Sequence, residues 1–337
     1  MPKASKKTPV FSIFIPTGGR ASSLERELKS LCKQSFTDFE LLIVDYKSGD
    51  EVFRMLKKYQ QKLQMTVIHQ TIKGLSKAAN LALKEARGKY FIRTDDDVEM
   101  TPKWLESIYE TFQSDKKIGG VTGPTVVPET NIDNRDVFTL SKKSDQGSSF
   151  WQLIGKVHTQ FFLDGQPMRV SHWFDSGAFS LGTNYASALK QPRQEVNNLE
   201  ACNYAVQTRL LKKIGGFDQV YAGVGEYHEP DAAFKIMNLG YTLVFDPKAV
   251  LHHMPSQEGF YNDRPASYTR IINFIVFYMR HIRPNTFRKI LRFTLYILFQ
   301  DAYYVYQAMT RRQLNQLGAL IGRIMGFVIY YQTKNTQ

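Results

Sequence analysis

Three consecutive carboxylates, Asp95-Asp96-Asp97, close a short apolar run that begins at Gly88 and passes through Tyr90, Phe91 and Ile92. Acids this close repel and raise one another's pKa, so without a cation they cost stability. A divalent metal meets that need. Mg²⁺ or Mn²⁺ is typically held by one or two carboxylates, with substrate phosphate oxygens completing the shell. On plain surface the same triplet would be a solvated acidic turn, but its setting argues for chemistry. Residues 90–92 read as a buried strand, and Pro102-Lys103-Trp104-Leu105 reads as a helix opening on proline. The acids therefore stand at the carboxyl end of a strand, where open α/β sheets bind ligands.

Stepping outward along the chain, apolar strands alternate with helical patterns from Val10 to Phe112, which predicts βα units and a mainly parallel sheet. The interval from Val127 to Val170 is less regular, and residues 141–149, rich in Ser and Lys, read as a long loop of the kind that covers substrates. At 337 residues the chain has length for one large domain plus an appendage. Its two cysteines, Cys32 and Cys202, lie far apart, with neither metal-site spacing nor a disulfide framework, which is compatible with a reducing compartment. Residues 1–9 read as a basic disordered tail without the apolar core of a signal peptide.

The charge is unevenly placed. From Arg264 to Gln337 there are eleven Lys or Arg and one acid, Asp301, so ten of the thirteen net positive charges lie in this last segment. The segment is also rich in Phe, Tyr, Ile and Leu, with apolar runs at 271–279, 295–299 and 324–331. Arginines interrupt its first half, so no run reaches the roughly 20 apolar residues that cross a bilayer. The expectation is an amphipathic, cationic helical region over 261–337, divided at Pro284, lying at a membrane surface with anionic lipids. Packing on the remainder of the chain and oligomerisation through these helices are the competing readings, with nucleic acid disfavoured.

Five ordered blocks carry a resemblance. They are Phe11 to Thr17 with Arg20, Leu41 to Asp50, Gly74-Leu75-Ser76 with Asn80 and Ala86-Arg87-Gly88, the segment Thr94 to Val98 with Pro102 and Trp104, and an acceptor half. The last comprises Cys202-Asn203-Tyr204-Ala205, Ile214 to Asp218 and Glu229-Pro230-Asp231 with Lys235. Together, over about residues 10 to 255, they resemble the family 2 glycosyltransferases of GT-A fold. The resemblance implies an α/β catalytic domain over 10–260, with a nucleotide-binding half at 10–126 and an acceptor half at 127–260. It also implies a nucleoside diphosphate sugar donor, UDP by default, and a saccharide acceptor, lipid-linked if the tail binds membrane.

The same resemblance distributes roles. Pro16, Thr17 and Arg20 would contact the nucleotide, and Asp45 would receive the base. Asp97 would bind metal, with Asp95 on metal or donor ribose and Asp96 beside them. His253, favoured over His252 by family spacing, would complete the metal shell. Glu229 would be the general base, with Asp231 as its support or an acceptor ligand and Glu226 in reserve on the acceptor side. Asn80 and Asn203 would frame the donor and acceptor. This chain has Gly18 and Gly19 after Thr17 and Ala79 where the family commonly has arginine, so Lys73 or Lys77 is the candidate to supply positive charge to the pyrophosphate. One base acting opposite the leaving phosphate gives a single displacement, hence inversion. The competing readings are a nucleotidyltransferase, against which stands the lack of a lysine-containing glycine-rich phosphate loop, and a non-catalytic membrane-recruited scaffold. The expected place is the cytoplasmic face of the cell membrane, as a peripheral protein.

Overall fold

A computed structural model describes residues 8–127, 149–254 and 267–334, apart from 181, 222, 224, 225 and 313. Most of the basic tail and residues 141–148 of the expected loop lie outside the described residues.

The strands β1 (Phe11–Thr17) and β2 (Phe39–Asp45) are buried throughout and run parallel, Phe11 opposite Phe39 and Thr17 opposite Asp45. β3 (Met65–His69) lies parallel outside β2, and β4 (Tyr90–Arg93) lies parallel on the other side of β1. The crossovers are α1 (Ala21–Leu31), α2 (Asp50–Tyr59) and α3 (Leu75–Glu85). After β4 come β5 (Val98–Met100), α4 (Trp104–Ser114), β6 (Ile118–Thr122) and β7 (Thr125–Val126). Alternate side chains of one strand serve opposite cores, as a period of two requires. Phe11, Ile13 and Ile15 pack with α1, α2 and α4, whereas Phe14 packs with α3 on the other face.

The second half completes the sheet. Helix α5 (Ser149–Val157) runs on into a π turn (His158–Phe162), and β8 (Gln194–Val196), β9 (Tyr204–Gln207), α6 (Thr208–Lys213), α7 (His228–Asn238), β10 (Thr242–Phe245) and β11 (Leu251–His253) follow. The large sheet has eight strands in the order β3-β2-β1-β4-β9-β6-β10-β8, with β9 antiparallel to both β4 and β6 and β8 antiparallel to β10. It is thus mostly parallel, flanked by helices on both faces. A second, small sheet has the order β5-β11-β7.

The C-terminal segment forms α8 (Ser267–Phe277) with a π turn (Tyr278–Ile282), α9 (Phe287–Arg311) and α10 (Gly318–Thr333). Pro284 falls between α8 and α9, as expected. The run at 271–279 does not lie on a surface, which corrects part of the sequence reading. Ile271, Phe274, Ile275 and Tyr278 are buried with Phe162, Phe174 and Ala178, so α8 is a core helix.

Candidate active site

The triplet divides its labour because consecutive residues leaving β4 face different neighbours. Asp96 points inward and is fully buried. Arg20 Nη2 lies 2.6 Å from its Oδ1, and Thr17 Oγ1 donates to its Oδ2 at 2.8 Å. Burial pushes the Asp96 carboxyl up to about 7, with Asp97 and Asp95 adding repulsion, while Arg20 and the Thr17 hydrogen bond pull it down. Arg20, just ahead of α1, also reaches Asp97 Oδ2 at 2.7 Å. Behind them Glu27 of α1 is buried and accepts from Thr94 Oγ1 at 3.2 Å. Burial and the charge of Asp96 raise its pKa well above the usual range.

Asp95 and Asp97 face the other way, toward β11. That strand pairs antiparallel with β5, setting His253 opposite Val98. His253 Nε2 stands 3.1 Å from Asp97 Oδ1, while His252, on the alternate face, is exposed. One ligand atom each from Asp95, Asp97 and His253 lie within 4.8 Å of one another. Two hard carboxylate oxygens and an imidazole nitrogen suit Mn²⁺ or Mg²⁺, so the residues fit the implied ion.

Arg93, the last residue of β4, connects this cluster to α7. It is nearly fully buried, donates to Asp95 Oδ1 at 2.9 Å and pairs with Glu229. Burial works against its charge, but Asp95 together with Tyr204 and Cys202 outweighs burial and raises its pKa. Glu229 lies in the first turn of α7, next to buried His228. Sequence reasoning missed both Arg93 and Glu27; a lone arginine at a strand end carries no pattern of its own.

The remaining expected residues divide. Pro16, Thr17 and Asp45 stand at the carboxyl edge of β1 and β2, where Asp45 accepts from Ser48 N at 3.3 Å and lies 3.5 Å from His69 Nδ1. Lys73 is exposed ahead of α3 and forms no ion pair with the triplet. Asp231 is in a supporting place and not on an acceptor-facing surface. It is fully buried between His281 Nε2 at 2.7 Å, Lys235 Nζ at 2.8 Å and Tyr221 Oη at 3.0 Å. Burial raises its pKa, yet His281 and Lys235 outweigh burial and hold it below the usual carboxylate value.

Three assignments are corrected by the geometry. Asn203 is fully buried, accepts from Trp104 Nε1 at 2.8 Å and donates to Pro124 O and Ala249 O, each at 2.9 Å. Both of its N–H donors are spent on backbone carbonyls, and its burial keeps the amide from any ligand. Asn80 spends its amide on the backbone of Phe217, donating to O at 2.7 Å and accepting from N at 2.8 Å. Glu226 is held bidentate by Arg270 at 3.0 and 2.9 Å, which ties its loop to α8.

With this geometry in place, residues 12–170, just under half of the chain, match the model of Glycosyl transferase family 2. The fold is GT-A-like. Among curated relatives, the poly(ribitol-phosphate) beta-N-acetylglucosaminyltransferase TarS of Staphylococcus aureus strain Mu50 is 31% identical over 150 residues, covering 39% of this chain and 26% of that protein. The chain thus spans about a quarter of that relative's length. Among solved structures, TarS 1-349 of S. aureus in complex with UDP-GlcNAc aligns with a TM-score of 0.54 at 16% identity, covering 97% of this chain and 92% of that one. The mannosyltransferase PcManGT from Pyrobaculum calidifontis, in complex with GDP-Man and Mn²⁺, aligns with a TM-score of 0.52 at 14% identity, covering 97% and 87%.

Proposed function

We propose that this protein is an inverting, metal-dependent glycosyltransferase that moves a sugar from a UDP-sugar to a hydroxyl of a lipid-linked saccharide. The observation that carries the reading is the continuous line Asp97-His253-Asp95-Arg93-Glu229, which joins a candidate metal site to a candidate base through one buried guanidinium. The UDP choice is supported by the UDP-GlcNAc complex of TarS, and the metal by the Mn²⁺ complex of PcManGT.

Thr17 and Asp45, in register at the ends of adjacent strands, border the nucleotide side. Arg20 holds Asp96 and Asp97 in place, so the two outer carboxylates keep their aim. Asp95, Asp97 and His253 would hold Mn²⁺ or Mg²⁺, which when bound stabilises negative charge on the departing diphosphate. Glu229 takes the proton of the acceptor hydroxyl as that oxygen bonds to the anomeric carbon. The carbon–oxygen bond to the diphosphate breaks with its electron pair, and a single displacement inverts the centre. Arg93 fixes Asp95 and Glu229 relative to each other, because its planar fork presents donors in two directions.

The test is release of UDP from UDP-GlcNAc and other UDP-sugars with Mn²⁺ and an extracted lipid-linked saccharide pool. Wild-type turnover, with loss of on the order of 10²-fold or more in Glu229→Gln while UDP binding persists, supports the assignment. Turnover unchanged in Glu229→Gln overturns it.

A further inference from the structure

Exposed apolar side chains are concentrated on three helices. Of the twenty-three exposed large hydrophobic residues among those described, seventeen lie between Phe150 and Phe161 or between Phe287 and Tyr331. On α10 and the turn before it, Leu317, Leu320, Ile321, Ile324, Val328 and Tyr331 recur every three or four residues, the spacing of one helix face. The opposite face of α10 is closed. A Cβ at Gly322 would come 2.6 Å from Tyr268 O, and one at Gly326 2.7 Å from Ile275 Cβ, so α10 is pressed on α8. A helix apolar on both sides needs a second apolar neighbour. Helices α5 and α9 add Phe150, Leu153, Phe287 and Leu298, all more than half exposed. The three helices are tied together, Arg292 Nε donating to Phe161 O at 3.0 Å and Arg323 Nε pairing with Asp301 at 2.6 Å.

Charge identifies the occupant. Asp164, Asp175 and Asp301 are engaged by Arg292, Lys289 and Arg323. Lys156, Arg288, Arg312 and Lys334 are exposed and have no acidic partner among the described residues. In a two-fold dimer the same patch would meet itself, setting cations against cations. Anionic lipid head groups complement them instead, and among the described residues no helix is long and apolar enough to cross a membrane.

We propose that α5, α9 and α10 form a monotopic membrane-docking surface, with their apolar faces in the acyl boundary and the four cations at anionic head groups. It rests on the reading of the acceptor as lipid-borne only for its purpose. Docking is thus measured on the full chain alone, by sedimentation with vesicles of phosphatidylcholine or of equal parts phosphatidylcholine and phosphatidylglycerol, without donor or acceptor. The expected result is binding to the anionic vesicles, weakened by added salt. Ile321→Glu with Ile324→Glu lowers it by tenfold or more, on the order expected for placing two charges in the acyl boundary. These positions are 61% and 68% exposed, so the substitutions leave the core intact. Arg288→Glu with Lys334→Glu, which alters charge alone, also weakens binding, whereas Ile72→Glu, on an exposed residue of the other half, does not. Absence of binding to either vesicle, equal binding to both, or a light-scattering dimer dissolved by the Ile321 and Ile324 changes would overturn the proposal. UDP binding in lipid-free buffer tests the catalytic reading independently.

Discussion

Replacing His281 by phenylalanine probes how the C-terminal segment supports the catalytic helix. His281 Nε2 bonds Asp231 Oδ1 at 2.7 Å, and its ring lies 5.4 Å from those of Phe234 and Phe277. Phenylalanine retains an aromatic ring and removes the hydrogen bond. A hydrogen bond to a charged group contributes about 1.5–3 kcal/mol, and stripping a buried charge of its partner costs about 3–5 kcal/mol. Lys235 and Tyr221 stay in place, so the lower range applies and a loss of about 2 kcal/mol is expected in urea unfolding at neutral pH. Asp231→Asn and the double variant complete a cycle in which the coupling is about 1 kcal/mol or more.

The pH dependence follows from the direction of the Asp231 shift. Its pKa is lowered in the folded state, so the stability it contributes is present above the unfolded value of 3.8 and is lost as pH falls through the folded value. The gap between wild type and His281→Phe should therefore be largest near neutrality and close in strong acid. Because Glu229 lies two residues before Asp231 in the same turn, kcat should fall with stability. A gap that is constant in pH, or strictly additive losses in the cycle, would refute the reasoning.

Other substitutions separate structure from chemistry. Asn203→Ala strands the Trp104 indole N–H and should cost about 1–3 kcal/mol in urea, whereas an acceptor-binding role would leave stability unchanged. Arg20→Met removes the guanidinium beside buried Asp96 and leaves the Thr17 hydrogen bond, and the unfolding free energy should drop by about 3–5 kcal/mol. Gly88→Ala places a Cβ 2.5 Å from Ser12 N, so β1 and β4 must part, and a loss of about 1–3 kcal/mol in thermal or urea unfolding is expected.

The sheet was legible because β1, β2 and β4 are short apolar runs that end on polar residues, and burial on both faces demands that pattern. The triplet was legible because adjacent acids at a strand end conflict electrostatically. Which acid faces the histidine was not, since it depends on β11 pairing with β5 from more than 150 residues away. Arg93 and Glu27 were hidden for a related reason. A charged residue reads as exposed until a partner is brought to it, and here the partners are Glu229 of α7 and Asp95 for Arg93, and Thr94 for Glu27. Asn80 and Asn203 sit inside motif blocks and read as ligands, yet their amides join distant backbone segments. In the tail, composition showed that the helices are apolar and basic. Only packing distinguishes α8, which is core, from α9 and α10, which present apolar residues outward.

Asp95, Asp97 and His253 together should bind a nucleoside diphosphate through a divalent ion. Calorimetric titration of UDP into the protein with Mn²⁺, with chelator, and into Asp97→Ala with Mn²⁺ tests it most directly. Binding is expected to require Mn²⁺ and to be lost in Asp97→Ala. UDP binding of equal strength with chelator, or undiminished in Asp97→Ala, would contradict it.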